Sequence, residues 1–408
     1  MKRVVVTGIG TISALGSDWP TIEAALRRKA NTVRRIDAWD RYSEMTTRLA
    51  APIDDFEPPS HWNRKQLRGM GRVSQLAVRA AELALADSGL LGDPILKSGD
   101  VGIACGSSTG STRDVSDFAL MIMTGTSPGL NANSYVRMMP HTTTANVGIF
   151  FGLKGRIIAT STACTSGSQG IGFAYEAIKQ GQQVAMIGGG AEELCPSEAM
   201  AFDLLYATSR CNDTPELTPR PYDKDRDGLV IGEGAGMLVL EEYEHARARG
   251  ARIHAEVVGF GTNSDGMHVT RPEAATMRVV MELALRDAGL DPAAIGYVNG
   301  HGTATEQGDI AETQATAALF GNRMPLSSQK SYLGHTLGAC GALESIFSLE
   351  MMRHHWFAPT VNLRNIDPRC GELDYIMGDG RVLDVEYVMN NNFAFGGVNT
   401  SLVFKRVA

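Results

Sequence analysis

Short apolar runs bounded by glycine recur along the chain, and helical patterns fill the intervals between them. Residues 4–9, 101–105, 156–160 and 184–189 read as buried strands, while 73–87 and 170–180 carry the spacing of helices. After about Glu242 the alternation restarts. Residues 253–259 and 295–299 predict strands, 274–288 and 309–320 helices, and 400–405 a closing strand. Such alternation predicts α/β layers with largely buried strands. It divides best into two similar halves, 1–245 and 246–408, although no clear sequence identity links them. Residues 106–150, rich in Gly, Ser, Thr and Met, show few clear elements and predict a functional or interface excursion.

Composition narrows the class. The 408 residues are 43% hydrophobic and 20% charged, enough for a large buried core in a soluble protein. A formal charge of -7 argues against nucleic acid, so an acidic partner needs a local basic patch. The six cysteines fall at irregular spacings with no C-x-x-C pair, which fits free thiols in a reducing compartment. The apolar run after Met1-Lys2-Arg3 breaks at Gly8, too short for a signal core, and no run approaches a membrane span. A cytoplasmic protein without membrane contact is expected. No histidines pair as metal ligands, so no metal is expected either.

Candidate chemistry concentrates in four segments. In Ser161-Thr162-Ala163-Cys164-Thr165-Ser166-Gly167-Ser168 an extended run gives way to a predicted helix over 165–180. A sulfur there meets unpaired first-turn N–H groups and the positive end of the helix, which can lower its pKa toward neutrality. Cys164 therefore reads as a nucleophile. Gly-rich segments place His301 in Gly300-His301-Gly302-Thr303-Ala304-Thr305 and His335 in Lys330-Ser331-Tyr332-Leu333-Gly334-His335. Turns of this kind present side chains to a site, giving one nucleophile and two imidazoles. The fourth segment, Asn390 to Asn399, contains Phe395-Gly396-Gly397 and reads as a turn.

Together these segments resemble the β-ketoacyl-acyl-carrier-protein synthases of the thiolase superfamily. Arg220-Pro221-Tyr222-Asp223, Arg226-Asp227-Gly228 and Gly232-Glu233-Gly234-Ala235-Gly236 add to the likeness, which runs in order from the first strand to the last. The resemblance implies a thiolase-like fold, two α/β halves in an αβαβα arrangement, and decarboxylating condensation of a Cys164-bound acyl chain with malonyl-carrier. By the same likeness, His301 and His335 stabilise the developing enolate, and the Cys164 and Phe395 N–H groups form an oxyanion hole. Lys330, partnered by Glu344, supports the histidines. Thr303 and Thr305 contact pantetheine, and Phe395 with Gly396 and Gly397 forms a gate. Phe202, Ser108 and Thr109 belong to the substrate site. No resident cofactor is implied, because the acyl carrier protein brings its own phosphopantetheine.

Two turns depart from the family pattern. Ala394 and Val398 replace the usual glycine and threonine of the gate, which predicts restricted motion. At Gly106-Ser107-Ser108-Thr109-Gly110-Ser111 a larger apolar residue is common where Thr109 stands, so a longer pocket, or one tolerant of a stiff conjugated or aromatic chain, is expected. Arg64, Lys65, Arg68 and Arg72, with Arg137, form a candidate carrier-docking patch, or else a solvated helix face. The partner subunit is a second copy or a related chain-length factor. General fatty-acid elongation and a dedicated polyketide or polyene pathway both stay open. A non-catalytic chain-length-factor-like subunit conflicts with the presence of Cys164. A cysteine hydrolase or acyltransferase leaves the second histidine, Lys330 and Phe395 without roles.

Overall fold

The computed structural model describes residues 1–407. Eleven strands form one mixed sheet: β1 (Val4–Ser13), β2 (Val101–Gly106), β3 (Ile157–Ala159), β4 (Ala185–Glu192), β5 (Gly234–Glu242), β6 (Ala255–Ser264), β7 (Ile295–Asn299), β8 (Pro325–Ser327), β9 (Asp374–Tyr375), β10 (Tyr387–Phe393) and β11 (Val398–Arg406). Their order is β9-β8-β7-β10-β11-β6-β1-β5-β4-β2-β3. The first five strands and the next group repeat one plan. In each, the first strand pairs antiparallel with the last, which pairs antiparallel with the strand just before it in sequence, and the remaining pairs are parallel. Only Val4–Val6 of β1 and Ala255–Val257 of β6 join the two halves of the sheet.

Helices cover both faces. Arg72–Asp87 and Thr142–Phe151 pack on the outside of the first half, and Ala274–Ala288 and Glu306–Phe320 on the outside of the second. Between the halves lie Ser166–Lys179 and Cys340–Arg353, the latter buried from Cys340 through Met352. This is the expected layered α/β arrangement, and its central core draws residues from both halves. Helix and strand approach closely because glycines line the contact: a Cβ on Gly170 of helix Ser166–Lys179 would lie 2.4 Å from the Gly189 carbonyl oxygen of β4.

Two sequence expectations need correction. Residues 106–150 hold three helices, Thr112–Thr124, Ala132–Met138 and Thr142–Phe151. The second starts at an Asn131 capping box, and the other two end on left-handed glycines, Gly125 and Gly152. Asn390, Asn391 and Asn392 lie inside β10 rather than in a turn. They are fully buried, and Asn390 donates to the Gly341 carbonyl and to Ser345, which meets the demand that buried amides be paired. Among the described residues no helix is long and apolar enough to cross a membrane.

Candidate active site

Cys164 occupies a single 3-10 turn, Ala163–Thr165, leading into helix Ser166–Lys179. Ala163 before it has φ +52°, a left-handed backbone that side-chain-bearing residues rarely adopt. The sulfur is buried, and burial pushes its pKa up to about 11, against the opposing pull of the Lys330 charge and of the Phe395 and Cys164 N–H groups. The expected fall toward neutrality is thus corrected: desolvation outweighs the helix start. The two N–H groups named as an oxyanion pair both approach the sulfur.

Hydrogen bonds fix the histidine tautomers. The Leu337 N–H donates to His335 Nδ1 (3.2 Å), so the ring's hydrogen must sit on Nε2, which lies 2.9 Å from Cys164 Sγ. At His301 the donors are Lys330 Nζ (3.1 Å) and Asn392 Nδ2 (3.4 Å), both at Nδ1, and again Nε2 carries the hydrogen. Burial first and the Lys330 charge second hold both imidazoles well below the usual histidine value. The rings stand edge to face, 5.1 Å apart at 87°. These are neutral N–H donors.

Lys330 is buried and pairs with Glu344 at 2.5 Å; burial works against its charge, but Glu344 more than compensates and raises its pKa. Glu344 also accepts from Asn392 Nδ2 at 2.9 Å. Glu312 takes the His301 and Gly302 N–H groups (2.5 and 2.7 Å) and locks that turn. Sequence reasoning missed Glu312 and Asn392 as site residues. The signal for Glu312 was a carboxylate three residues after Asp309 on a helix that follows the Gly-rich turn.

A cavity of about 460 Å³ is lined by Cys164, His301, His335, Thr303, Thr305 and Phe202, together with Phe395 and Gly397. The two threonine hydroxyls sit 2.9 Å apart. Phe395, 36% exposed, packs on Phe202 with ring centroids 5.0 Å apart. Gly396 (φ +87°) and Gly397 (φ +70°) shape that loop, and a Cβ on Gly397 would meet Asp265 Cβ at 2.8 Å. Ala394 pairs with Val398 through its N–H (2.8 Å), extending the β10–β11 hairpin, so glycine is not required there in this conformation.

Ser108 and Thr109 do not line this cavity. Their hydroxyls bond Glu192 and Glu198 instead, which corrects the expectation that they wall it. Arg64, Lys65 and Arg68 are exposed, and Arg64, Arg68 and Arg137 border one open depression. Arg72 points the other way, into an ion pair with Glu233 at 2.8 Å, and Arg137 is held by Asp114 at 2.6 Å. Those two charges are spent within the fold. The ligand atoms of Cys164, His301 and His335 lie within 4.8 Å of one another, a spacing that a metal ion could bridge. The Lys330 ammonium beside His301 repels a cation there.

Comparison with known proteins agrees with this geometry. The family model for the β-ketoacyl synthase N-terminal domain matches residues 1–246, and that for the C-terminal domain matches 254–364. The chain is 39% identical to 3-oxoacyl-[acyl-carrier-protein] synthase 2 of Vibrio harveyi, covering 100% of this chain and 99% of that protein. It superposes on a β-ketoacyl synthase from Burkholderia phymatum STM815 with TM-score 0.99 at 60% identity, covering 100% of both chains. The ishigamide ketosynthase/chain length factor gives TM-score 0.91 at 32% identity, again covering 100% of both. With its thiolase-like fold and its buried Cys-His-His set, the chain belongs to the β-ketoacyl synthase family of acyltransferase condensing enzymes.

Proposed function

We propose that Cys164 carries the growing acyl chain while His301 and His335 stabilise a decarboxylating malonyl thioester, both delivered on an acyl carrier protein. The observation that carries this reading is the pair of neutral Nε2–H donors converging on a buried thiol, with Lys330 fixing one of them. In the first half-reaction the sulfur attacks the acyl carbonyl and the carbon–sulfur bond to pantetheine breaks. The proton of Cys164 ends on the departing pantetheine sulfur. In the second, malonyl-carrier loses carbon dioxide, and negative charge collects on its thioester oxygen within reach of the two imidazole N–H groups. The resulting carbanion attacks the acyl-cysteine, expels the Cys164 sulfur and leaves a 3-oxoacyl-carrier two carbons longer. Neutral imidazoles suit this task, because an N–H donor serves a developing oxyanion without a proton transfer.

Exposed Arg64, Lys65 and Arg68 supply the positive surface that an acidic carrier needs, and steering by them works despite the net negative charge. For the subunit partner, the reading assigns a second copy. β3 is the terminal strand of the sheet, its Ile157 is 51% exposed and neighbouring Ile149 is 78% exposed. An apolar sheet edge of this kind is covered in a stable protein, and a strand can pair with its own copy across a two-fold axis.

The decisive test is mass spectrometry of the intact protein with acyl-carrier, then malonyl-carrier. An acyl mass on Cys164 and release of the extended product are expected. No acyl mass on wild-type protein, or one that persists in Cys164→Ala, rejects the reading.

A further inference from the structure

Glu198 is an unusual residue to find where it is. It lies on helix Pro196–Asp203, one turn before Phe202, and is only 4% exposed. Residues four apart share a helix face, about 6 Å from one another, so Glu198 stands directly behind the aromatic wall of the Cys164 cavity. Ala199 and Phe202 of the same helix pack in one cluster with Cys164. One oxygen of the Glu198 carboxyl group, Oε2, has no hydrogen-bond partner among the described residues.

Counting hydrogens tells which form the group takes. Glu192, fully buried nearby, accepts from the Ser107 hydroxyl (2.6 Å), the Ser108 N–H (2.8 Å), the Ser108 hydroxyl and the Gly338 N–H (3.0 Å). That donor set compensates a carboxylate charge. Glu198 has one partner, the Thr109 hydroxyl, 2.6 Å from Oε1, and Thr109 also lies 3.3 Å from Glu192 Oε1. Thr109 owns a single hydrogen. Directed to the charged Glu192, it leaves its lone pairs for a hydrogen supplied by Glu198 as the acid. Burial, and next the Glu192 charge, favour the same assignment by raising the Glu198 pKa well above the usual carboxylate range. The relay then runs from the Glu198 Oε1–H to Thr109 and on to Glu192. Oε2 remains as a bare, buried carbonyl oxygen.

We infer that Glu198, positioned by Thr109, is a specificity-determining end wall of the acyl site that selects chains whose far end bears a hydroxyl, alcohol or phenol. This rests on the ketosynthase reading above. A hydroxyl supplies the hydrogen that Oε2 lacks. A methyl end leaves that oxygen desolvated and unpaired, and a carboxylate end meets the Glu192 charge. Phe202, four residues along the same helix, lines the cavity, so the chain end reaches this oxygen by displacing that ring.

The test compares Cys164 acylation by carrier-bound chains of matched length ending in methyl, hydroxyl or carboxylate. Wild-type protein is expected to favour the hydroxyl chain over the methyl chain by about tenfold in kcat/KM, through KM, and to reject the carboxylate. Glu198→Gln offers the same bare carbonyl with an N–H toward Thr109, and should keep the preference. Glu198→Leu and Thr109→Val should bring the ratio to about one. Equal use of methyl and hydroxyl chains by wild type, or an unchanged ratio in a folded Glu198→Leu, overturns the inference. So does loss of the preference in Glu198→Gln. Should no chain reach Cys164 at all, the ketosynthase reading itself fails, an outcome distinct from acylation without discrimination.

Discussion

Lys330 Nζ stands 3.1 Å from Nδ1 of His301, and that contact decides which nitrogen of the ring faces substrate. The lysine holds the imidazole as an Nε2–H donor, and its charge adds to burial, the larger cause, in keeping the ring neutral. Lys330→Met removes both effects and leaves Glu344 buried without its cation. Decarboxylation of malonyl-carrier should fall by about 100-fold, with a smaller loss in Cys164 acylation. Stability should drop by about 3 kcal/mol, as when one partner of a buried pair is removed. Single-turnover assays and denaturant melts separate the two losses.

Because both histidines are donors and not bases, their removal should spare the first half-reaction. His335→Ala is expected to acylate at Cys164 and to lose decarboxylation by about 100-fold, with partial rescue in His335→Gln, whose amide restores an N–H. Both imidazole pKa values lie well below the ordinary value, so the decarboxylation rate should stay flat as pH falls from 8 through 6.5. A decline centred near pH 6.5 would show an ordinary histidine at work.

The raised Cys164 pKa makes its own prediction. Alkylation by iodoacetamide, followed by intact mass, should accelerate with pH up to about 9 without a plateau, since the thiol pKa is pushed to about 11. A plateau near neutrality would show that the helix start prevails over burial.

The basic patch divides into free and committed charges. Arg64→Glu with Arg68→Glu should raise KM for acyl-carrier by about tenfold at low salt, an effect that shrinks as salt rises. Arg72→Ala should instead lower stability, because it strands the buried Glu233 carboxylate.

A charged cluster away from the site ties the halves together. His254, at the entry to β6, lies 2.7 Å from Asp87 and 3.7 Å from Glu350. Burial opposes its charge, but the two carboxylates outweigh burial and raise its pKa. A value higher in the folded than in the unfolded chain stabilises fully below the unfolded value and fades as pH rises through the folded one. Unfolding free energy should therefore decline above about pH 6.5, and His254→Gln should flatten that decline.

The residues legible in the sequence share a setting. Cys164 and His301 follow strand ends and His335 follows the short helix Lys330–Leu333, each in a turn where a reactive side chain stands out against its neighbours. Lys330 and Glu344 followed from the family likeness, and the structure brings them to 2.5 Å. What stayed hidden were polar groups inside regular elements. Asn392 reads as a turn residue because its run is polar, yet it is buried in β10 and serves Glu344 and His301, whose positions in space the sequence does not display. Glu192 and Glu198 were likewise ordinary acidic residues until Ser107, Ser108 and Thr109 folded against them. The two similar halves were legible in the restarting alternation, but their strand pairing was not: pairing order depends on backbone geometry and burial, which different residues satisfy equally well.

The duplicated halves share one central layer, and this orders events during synthesis. The first half contributes the sulfur, while residues 301, 335 and 395 that surround it emerge much later from the ribosome. Cys164 is therefore made before either of its imidazole partners exists. His301 and His335 precede, and Phe395 follows, helix Cys340–Arg353, which fills the shared central layer. A chain that stops short of residue 301 therefore carries the cysteine without either imidazole.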